Sequence, residues 1–108
     1  MSSGYEFIYR YQLLTATDLW ISDKDSATAT YGDINTWDVS GITDFSQLFY
    51  SDEDFNSNIS NWDVSNGTDF SSMFYGASSF NKDIGDWDVS NGTDFEYMFS
   101  EASSFNQD

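Results

Sequence analysis

Apolar and polar positions along this 108-residue chain recur every 25 residues. Trp37, Trp62 and Trp87 mark the period, and Ile34, Ile59 and Ile84 lie three residues before them. Each tryptophan is followed by Asp-Val-Ser, then by Thr-Asp-Phe at 43–45, 68–70 and 93–95. Phe49, Phe74 and Phe99 come next, then Phe55, Phe80 and Phe105. Residues 56–80 and 81–105 agree at 17 of 25 positions, and 31–55 agrees with 56–80 at 12. A fixed period of this length predicts a solenoid, in which each unit buries its apolar face only against its neighbours.

Within one repeat, Ile59, Trp62 and Val64 predict an extended segment with Trp62 and Val64 on one face. Asn66-Gly67 and Asn91-Gly92 predict tight turns with positive φ. Phe70, Met73 and Phe74 stand at i, i+3 and i+4, the spacing of one helical face, and Gly76 can end that short helix. The expected fold class is therefore an α+β solenoid of three coils, 31–55, 56–80 and 81–105, with short strands and a short helix in each. Residues 1–30 do not repeat. Tyr5, Phe7, Tyr9 and Tyr11 alternate with other residues up to Gln12, which predicts a strand with one aromatic face. A helix over Thr15–Ile21 and a second over Lys24–Thr30, capped by Ser22 or Asp23 and stopped at Gly32, complete an N-terminal cap. The expected division is this cap (1–30) and the repeats (31–108), with an uncapped last coil whose apolar face is expected to be exposed.

Composition narrows the functional classes. Three basic residues against nineteen acidic ones give a net charge of −16, which excludes nucleic acid as a partner because phosphate backbones need a basic surface. With no cysteine and no histidine there is no disulfide, no zinc site and no thiol nucleophile. No apolar run approaches the ~18 residues of a membrane span, and no signal peptide is visible. Leu, Ile, Val and Phe make up only 23 residues, near the limit for a folded chain, but 21 aromatics supply large burial per residue.

The run Phe-Asn-x-Asp-Ile-x-x-Trp-Asp-Val-Ser-x-x-Thr-Asp-Phe-x-x-Met-Phe-x-x-Ala-Ser-Ser-Phe-Asn, over Phe80 to Asn106, resembles the BspA-like leucine-rich-repeat surface proteins. That group includes the 25-residue repeat of unknown function found in bacterial, mycoplasmal and marine microbial proteins. The resemblance extends over about residues 16–108 and implies an LRR-like, right-handed coil on a cell surface or outside the cell, acting by binding or adhesion. It brings no catalytic motif. The family commonly carries a branched apolar residue where Gly67 and Gly92 stand, so those two coils are expected to lack one core side chain.

Three groups of residues are candidate sites. The ladders Asp38, Asp63, Asp88 and Asp44, Asp69, Asp94 offer carboxylates for a hard cation such as Ca²⁺, or accept backbone N–H groups at turns. No Asp-x-Asp-x-Asp-Gly loop occurs, and no metal or other cofactor is required by the pattern. Asn58, Asn66 and Asn91 open N-glycosylation sequons, and the last two also suit turns. Tyr5, Phe7, Tyr9 and Tyr11 form a strand that can pair with the open last coil of another copy through Met98, Phe99 and Phe105. An enzyme is not expected. Catalysis by two carboxylates needs two different environments, whereas the repeat offers one environment three times. The expected function is a non-catalytic extracellular or surface protein whose partners are other copies of itself, joined head to tail into a filament. The alternative is an adhesin-type module that engages a protein of a host or neighbouring cell.

Overall fold

The computed structural model describes residues 4–107 of the chain. Residues 1–3 of the expected cap, and Asp108 at the end of the expected repeats, lie outside them. Helix α1 (Arg10–Ser22) and helix α2 (Lys24–Tyr31) come first, followed by a single 3-10 turn at Ile34–Thr36. Gln12 starts α1 by accepting the N–H groups of Ile8 and Tyr9, both at 2.9 Å. Leu13, Ala16, Thr17 and Trp20 then fall at i, i+3, i+4 and i+7 and are its buried face. Asp23 caps α2 by accepting from the Ser26 N–H at 3.2 Å, and Gly32 ends that helix at φ 80°.

From residue 33 the chain winds in coils that stack with a 25-residue offset. The N–H groups of Phe45, Gln47, Phe49 and Ser51 donate to the carbonyls of Asp69, Ser71, Met73 and Tyr75 at 2.6–3.0 Å. Those of Phe70, Ser72, Phe74 and Gly76 donate in the same way to Asp94, Glu96, Met98 and Ser100 at 2.8–2.9 Å. The carbonyl of Asp69 and the N–H of Phe70 belong to one peptide group, as do the pairs at 71–72, 73–74 and 75–76. Alternate peptide groups thus lie along the stacking axis, with carbonyls toward the first coil and N–H groups toward the third. The peptides between them close local turns, such as Met73 N–H to the Phe70 carbonyl and Ala77 N–H to the Phe74 carbonyl.

This arrangement overturns the expected α+β solenoid. Beyond the 3-10 turn at Ile34–Thr36 in the first coil, neither a helix nor a strand forms in the described coils; the described chain holds only isolated parallel bridges, Glu6 with Asp38, Asp44 with Asp69 and Asp69 with Asp94. The helix expected over Phe70–Phe74 is broken by positive φ at the third residue of each turn, Ser72 (55°) and Gly76 (70°). Gln47, Ser51, Tyr97 and Glu101 repeat that conformation in the other two coils. The strand expected at Ile59–Val64 has no backbone ladder. Trp62 turns back on Ile59, and the coils are instead joined there by side chains: indole Nε1 of Trp62 to the Ile34 carbonyl (2.7 Å) and of Trp87 to Ile59 (3.1 Å). The N-terminal strand is corrected too. Residues 5–7 make one bridge to Asp38, and the chain then enters α1 because Gln12 captures the N–H groups that a strand would have used.

Three phenylalanine columns fill the stack. Phe45, Phe70 and Phe95 stack at 5.5 and 5.3 Å, Phe49, Phe74 and Phe99 at 5.6 and 5.4 Å, and Phe55, Phe80 and Phe105 at 5.6 and 5.7 Å. The second and third columns also touch within each coil, at 3.9 to 4.4 Å. Trp37 stacks on Trp62 at 6.4 Å and meets Trp20 of α1 edge-on at 5.9 Å. Helix α1 therefore shields the first coil much as a further coil would.

Gly67 and Gly92 leave no hole in this core. A Cβ at Gly67 would fall 2.5 Å from Cζ of Phe70 and 3.0 Å from the Phe45 ring, so the aromatic rings occupy the space of the missing side chain. Neither glycine has positive φ, so small size rather than turn geometry explains them. Phe70 is fully buried and cannot move away, whereas Phe95, which a Cβ at Gly92 would strike, is 42% exposed. Gly67→Ala is predicted to destabilise by about 1–3 kcal/mol, the range of an overpacked core, and Gly92→Ala by clearly less. Urea melts of the two variants check this; equal losses would contradict the assignment.

Candidate functional site

The six ladder aspartates hold the corners of the coils. Asp38, Asp63 and Asp88 each accept, on one oxygen, the backbone N–H at 3.0 Å and the hydroxyl at 2.6 Å of the serine two residues on. Asp44, Asp69 and Asp94 likewise accept the N–H of Ser46, Ser71 and Glu96 at 2.9–3.0 Å. Hydrogen bonds to Ser65 and Ser90 hold the carboxyls of Asp63 and Asp88 below the ordinary carboxylate range. Among the described residues no three carboxylates converge in a way that could hold a metal ion.

The three sequon asparagines are also engaged. Asn66 and Asn91 donate Nδ2 to the carbonyls of Ser40 and Ser65, one coil back, at 2.7 Å. Asn58 accepts the Ser60 N–H at 2.9 Å.

The expected assembly residues lie at opposite ends of the stack, one set in the N-terminal cap and the other in the third coil. Phe7 is fully buried against Trp37 and Tyr31 beside the first coil, and Tyr5 packs on Phe7 and Tyr31 at 4.9 and 4.8 Å. Tyr9 and Tyr11 are exposed and stack on each other at 5.7 Å, at the start of α1. Met98, Phe99 and Phe105 belong to the third coil. Met98 is 7% exposed and the two phenylalanines are half-buried, while the equivalent Met73, Phe74 and Phe80 are sealed.

Two features had not been singled out from the sequence. Arg10 closes the carbonyl end of the stack: Nη1 donates to the Asp44 carbonyl (2.9 Å) and pairs with its carboxylate (3.2 Å), while Nη2 donates to the Ser46 carbonyl (2.7 Å). A cation is the fitting cap for the negative end of aligned peptide dipoles. At the opposite end, the N–H groups of Phe95, Tyr97, Phe99 and Glu101 have no acceptor among the described residues, although all eight equivalents in the first two coils donate to the next coil. Tyr97 and Phe95 are exposed beside them. The chain's scarcity of cations was the available signal for Arg10; nothing in the residue types marks the N–H row.

Among the described residues, Asp52 is the one carboxyl pushed strongly up, to about 6, because it is partly buried and because Asp18 of α1 stands near it. A carboxyl raised in the folded state opposes folding while ionised, so its penalty is relieved as pH falls through about 6. The lowered carboxyls of Asp63 and Asp88 act the other way, and their contribution is lost below the ordinary value of 3.8. Melting temperature is predicted to rise from pH 7.5 to pH 5 and to fall again below pH 4. Asp52→Asn should raise it at pH 7.5 and flatten the rise. Thermal melts of both chains check this, and a rise unchanged in the variant would assign it to relief of net charge instead.

No curated protein and no solved structure matches the chain. A family model described as "Mycoplasma protein of unknown function, DUF285" matches residues 21–108, which takes in α2 and all three coils. The chain belongs to that family.

Proposed function

We propose that this chain is a non-catalytic repeat protein of the cell surface or extracellular space that works through protein contact, joining copies head to tail. The row of four N–H donors on the third coil that have no acceptor among the described residues supports the reading. An unpaired backbone donor that becomes buried without an acceptor is costly, so any surface covering this row must present carbonyls at matching spacing. A second N–H row cannot do so, which disfavours a symmetric pair of third coils. The first coil can: the carbonyls of Asp44, Ser46, Leu48 and Tyr50 stand where Asp69, Ser71, Met73 and Tyr75 accept in the second. Contact of the last coil with the first is heterologous, and repeated it makes a filament unless the geometry closes a ring.

Arg10 holds two of those four carbonyls and α1 covers the first coil, so the cap opposes addition and must shift for the joint to close. In this reading the joint uses Phe95, Phe99 and Phe105 on one copy, with Tyr9 and Tyr11 at the rim of the other. The buried Phe7 takes no part. The non-catalytic character is supported by the ladder carboxylates, which are committed to their own turns. Kinship with BspA-like surface proteins rests on the repeat residues from Phe80 to Asn106.

Sedimentation velocity across a range of concentrations tests the reading. At −16 per copy, association should strengthen with salt, since the screening length falls from about 30 Å at 0.01 M to about 8 Å at 0.15 M. Phe99→Glu should abolish it, and Arg10→Ala should strengthen it severalfold by freeing carbonyls. Monomers in both the unaltered chain and Arg10→Ala, or association indifferent to Phe99→Glu, would sink it.

A further inference from the structure

Two of the three cations of this chain border one open groove of about 350 Å³, between the junction of the two helices and the flank of the coils. They are Lys24 and Lys82. Among the described residues the only ion pair is Arg10 with Asp44, so both ammonium groups are unpaired. Lys24 sits 5.1 Å from the centre of the Trp20 ring, whose face holds the cation in place.

Three asparagines on the same wall have their polarity fixed by the backbone. Oδ1 of Asn35 accepts the Asn61 N–H, Oδ1 of Asn56 the Asn81 N–H and Oδ1 of Asn58 the Ser60 N–H, each at 2.9 Å. With the oxygen engaged, each amide presents Nδ2, and none of the three Nδ2 groups has an acceptor among the described residues. One carboxylate, Asp33, also stands on the wall, with Oδ2 held by the Asn35 N–H at 3.0 Å. Asp83 and Asp86 flank Lys82 in the neighbouring hollow, and Asp54 lines a hollow beside Lys24.

We infer that this groove binds a carboxylated sugar, through a carboxylate on the Lys24 and Lys82 ammonium groups and hydroxyl oxygens on the Asn35, Asn56 and Asn58 amides. Two cations suit one carboxylate. The amides suit neutral oxygens, which accept hydrogen bonds without bringing charge. A polyacidic peptide would bring many negative charges to a surface of net charge −16 and to a groove flanked by four aspartates. An oxygen-rich ligand with a single carboxylate avoids that repulsion. The site is independent of the stack-end contact, since neither lysine nor any of the three asparagines belongs to the N–H row or the carbonyl row.

The test is a titration of the full chain with sodium glucuronate, followed by the side-chain amide resonances of Asn35, Asn56 and Asn58 in ¹H–¹⁵N spectra. Glucose, acetate and tetraglutamate are run in parallel at the same low ionic strength. Saturable glucuronate shifts at these three amides are expected, with glucose and acetate at least tenfold weaker. The double variant Lys24→Gln, Lys82→Gln should weaken glucuronate at least tenfold while leaving the backbone spectrum of the coils in place. No shift with glucuronate overturns the inference, as does equal binding of glucose or acetate. Tighter binding of tetraglutamate would replace the sugar with an acidic peptide.

Discussion

Hydrogen bonding between alternate peptide groups along the stacking axis is the constraint on which the rest of this molecule depends. Each such peptide accepts from the coil before it and donates to the coil after it, so its dipole adds to those above and below. The columns demand positive φ at the same two places in every coil, at 47, 72 and 97 and again at 51, 76 and 101. They also set the spacing at which the phenylalanine rings meet. A proline at any donor position would delete a link from a column, and the chain contains none. Ring stacking and backbone columns specify the same 25-residue register, and that agreement gives a strand-poor chain a unique fold.

Aligned peptides make the two ends of the stack chemically unlike. Along these columns carbonyls face outward at the first coil and N–H groups at the third, while the Thr43 and Thr68 carbonyls accept from Thr68 and Thr93 in the opposite sense. The chain invests one of its three cations, Arg10, at the carbonyl end, held on two carbonyls and one carboxylate. The same helix supplies Trp20 to cover Trp37. Cap and coil are thus matched twice, once in polarity and once in ring packing. Partners of such a stack are selected by the sense of their hydrogen bonds before any side chain is compared.

Much of this was legible in the residues, and the failures have a common cause. The period, the stacking of equivalent aromatics and the second helix with its Asp23 cap follow directly from spacing and capping chemistry. The secondary structure inside the coils does not. Phe70, Met73 and Phe74 have helical spacing, but successive turns with a left-handed third residue put the same three side chains into one core. Only Gly76 announces that conformation; Gln47, Ser51, Ser72, Tyr97 and Glu101 adopt it without being glycine, because the columns impose it. Gly67 misled in the opposite sense, suggesting a left-handed turn where a ring needed room. The first helix was missed upstream of Thr15 because alternating aromatics mimic a strand. The capture of two N–H groups by Gln12, which decides the matter, is a local capping contact of one side chain with residues three and four positions before it.

The coils need many side-chain oxygens at their corners, since N–H groups that serve neither a column nor a local turn must be accepted by something. Aspartate and asparagine meet that need equally well, and the chain uses both: Asp38, Asp63 and Asp69 at some corners, Asn35, Asn56 and Asn81 at others. The choice between them leaves the fold unchanged and alters the surface. An aspartate so used leaves a negative charge and further acceptor capacity outside, whereas an asparagine leaves a neutral donor. Along the aspartate corners the surface is therefore acidic, and along the flank lined by Asn35, Asn56 and Asn58 it is donor-rich, with Lys24 and Lys82 beside it. Folding fixes where an oxygen must be, and the residue that supplies it remains free to carry recognition chemistry.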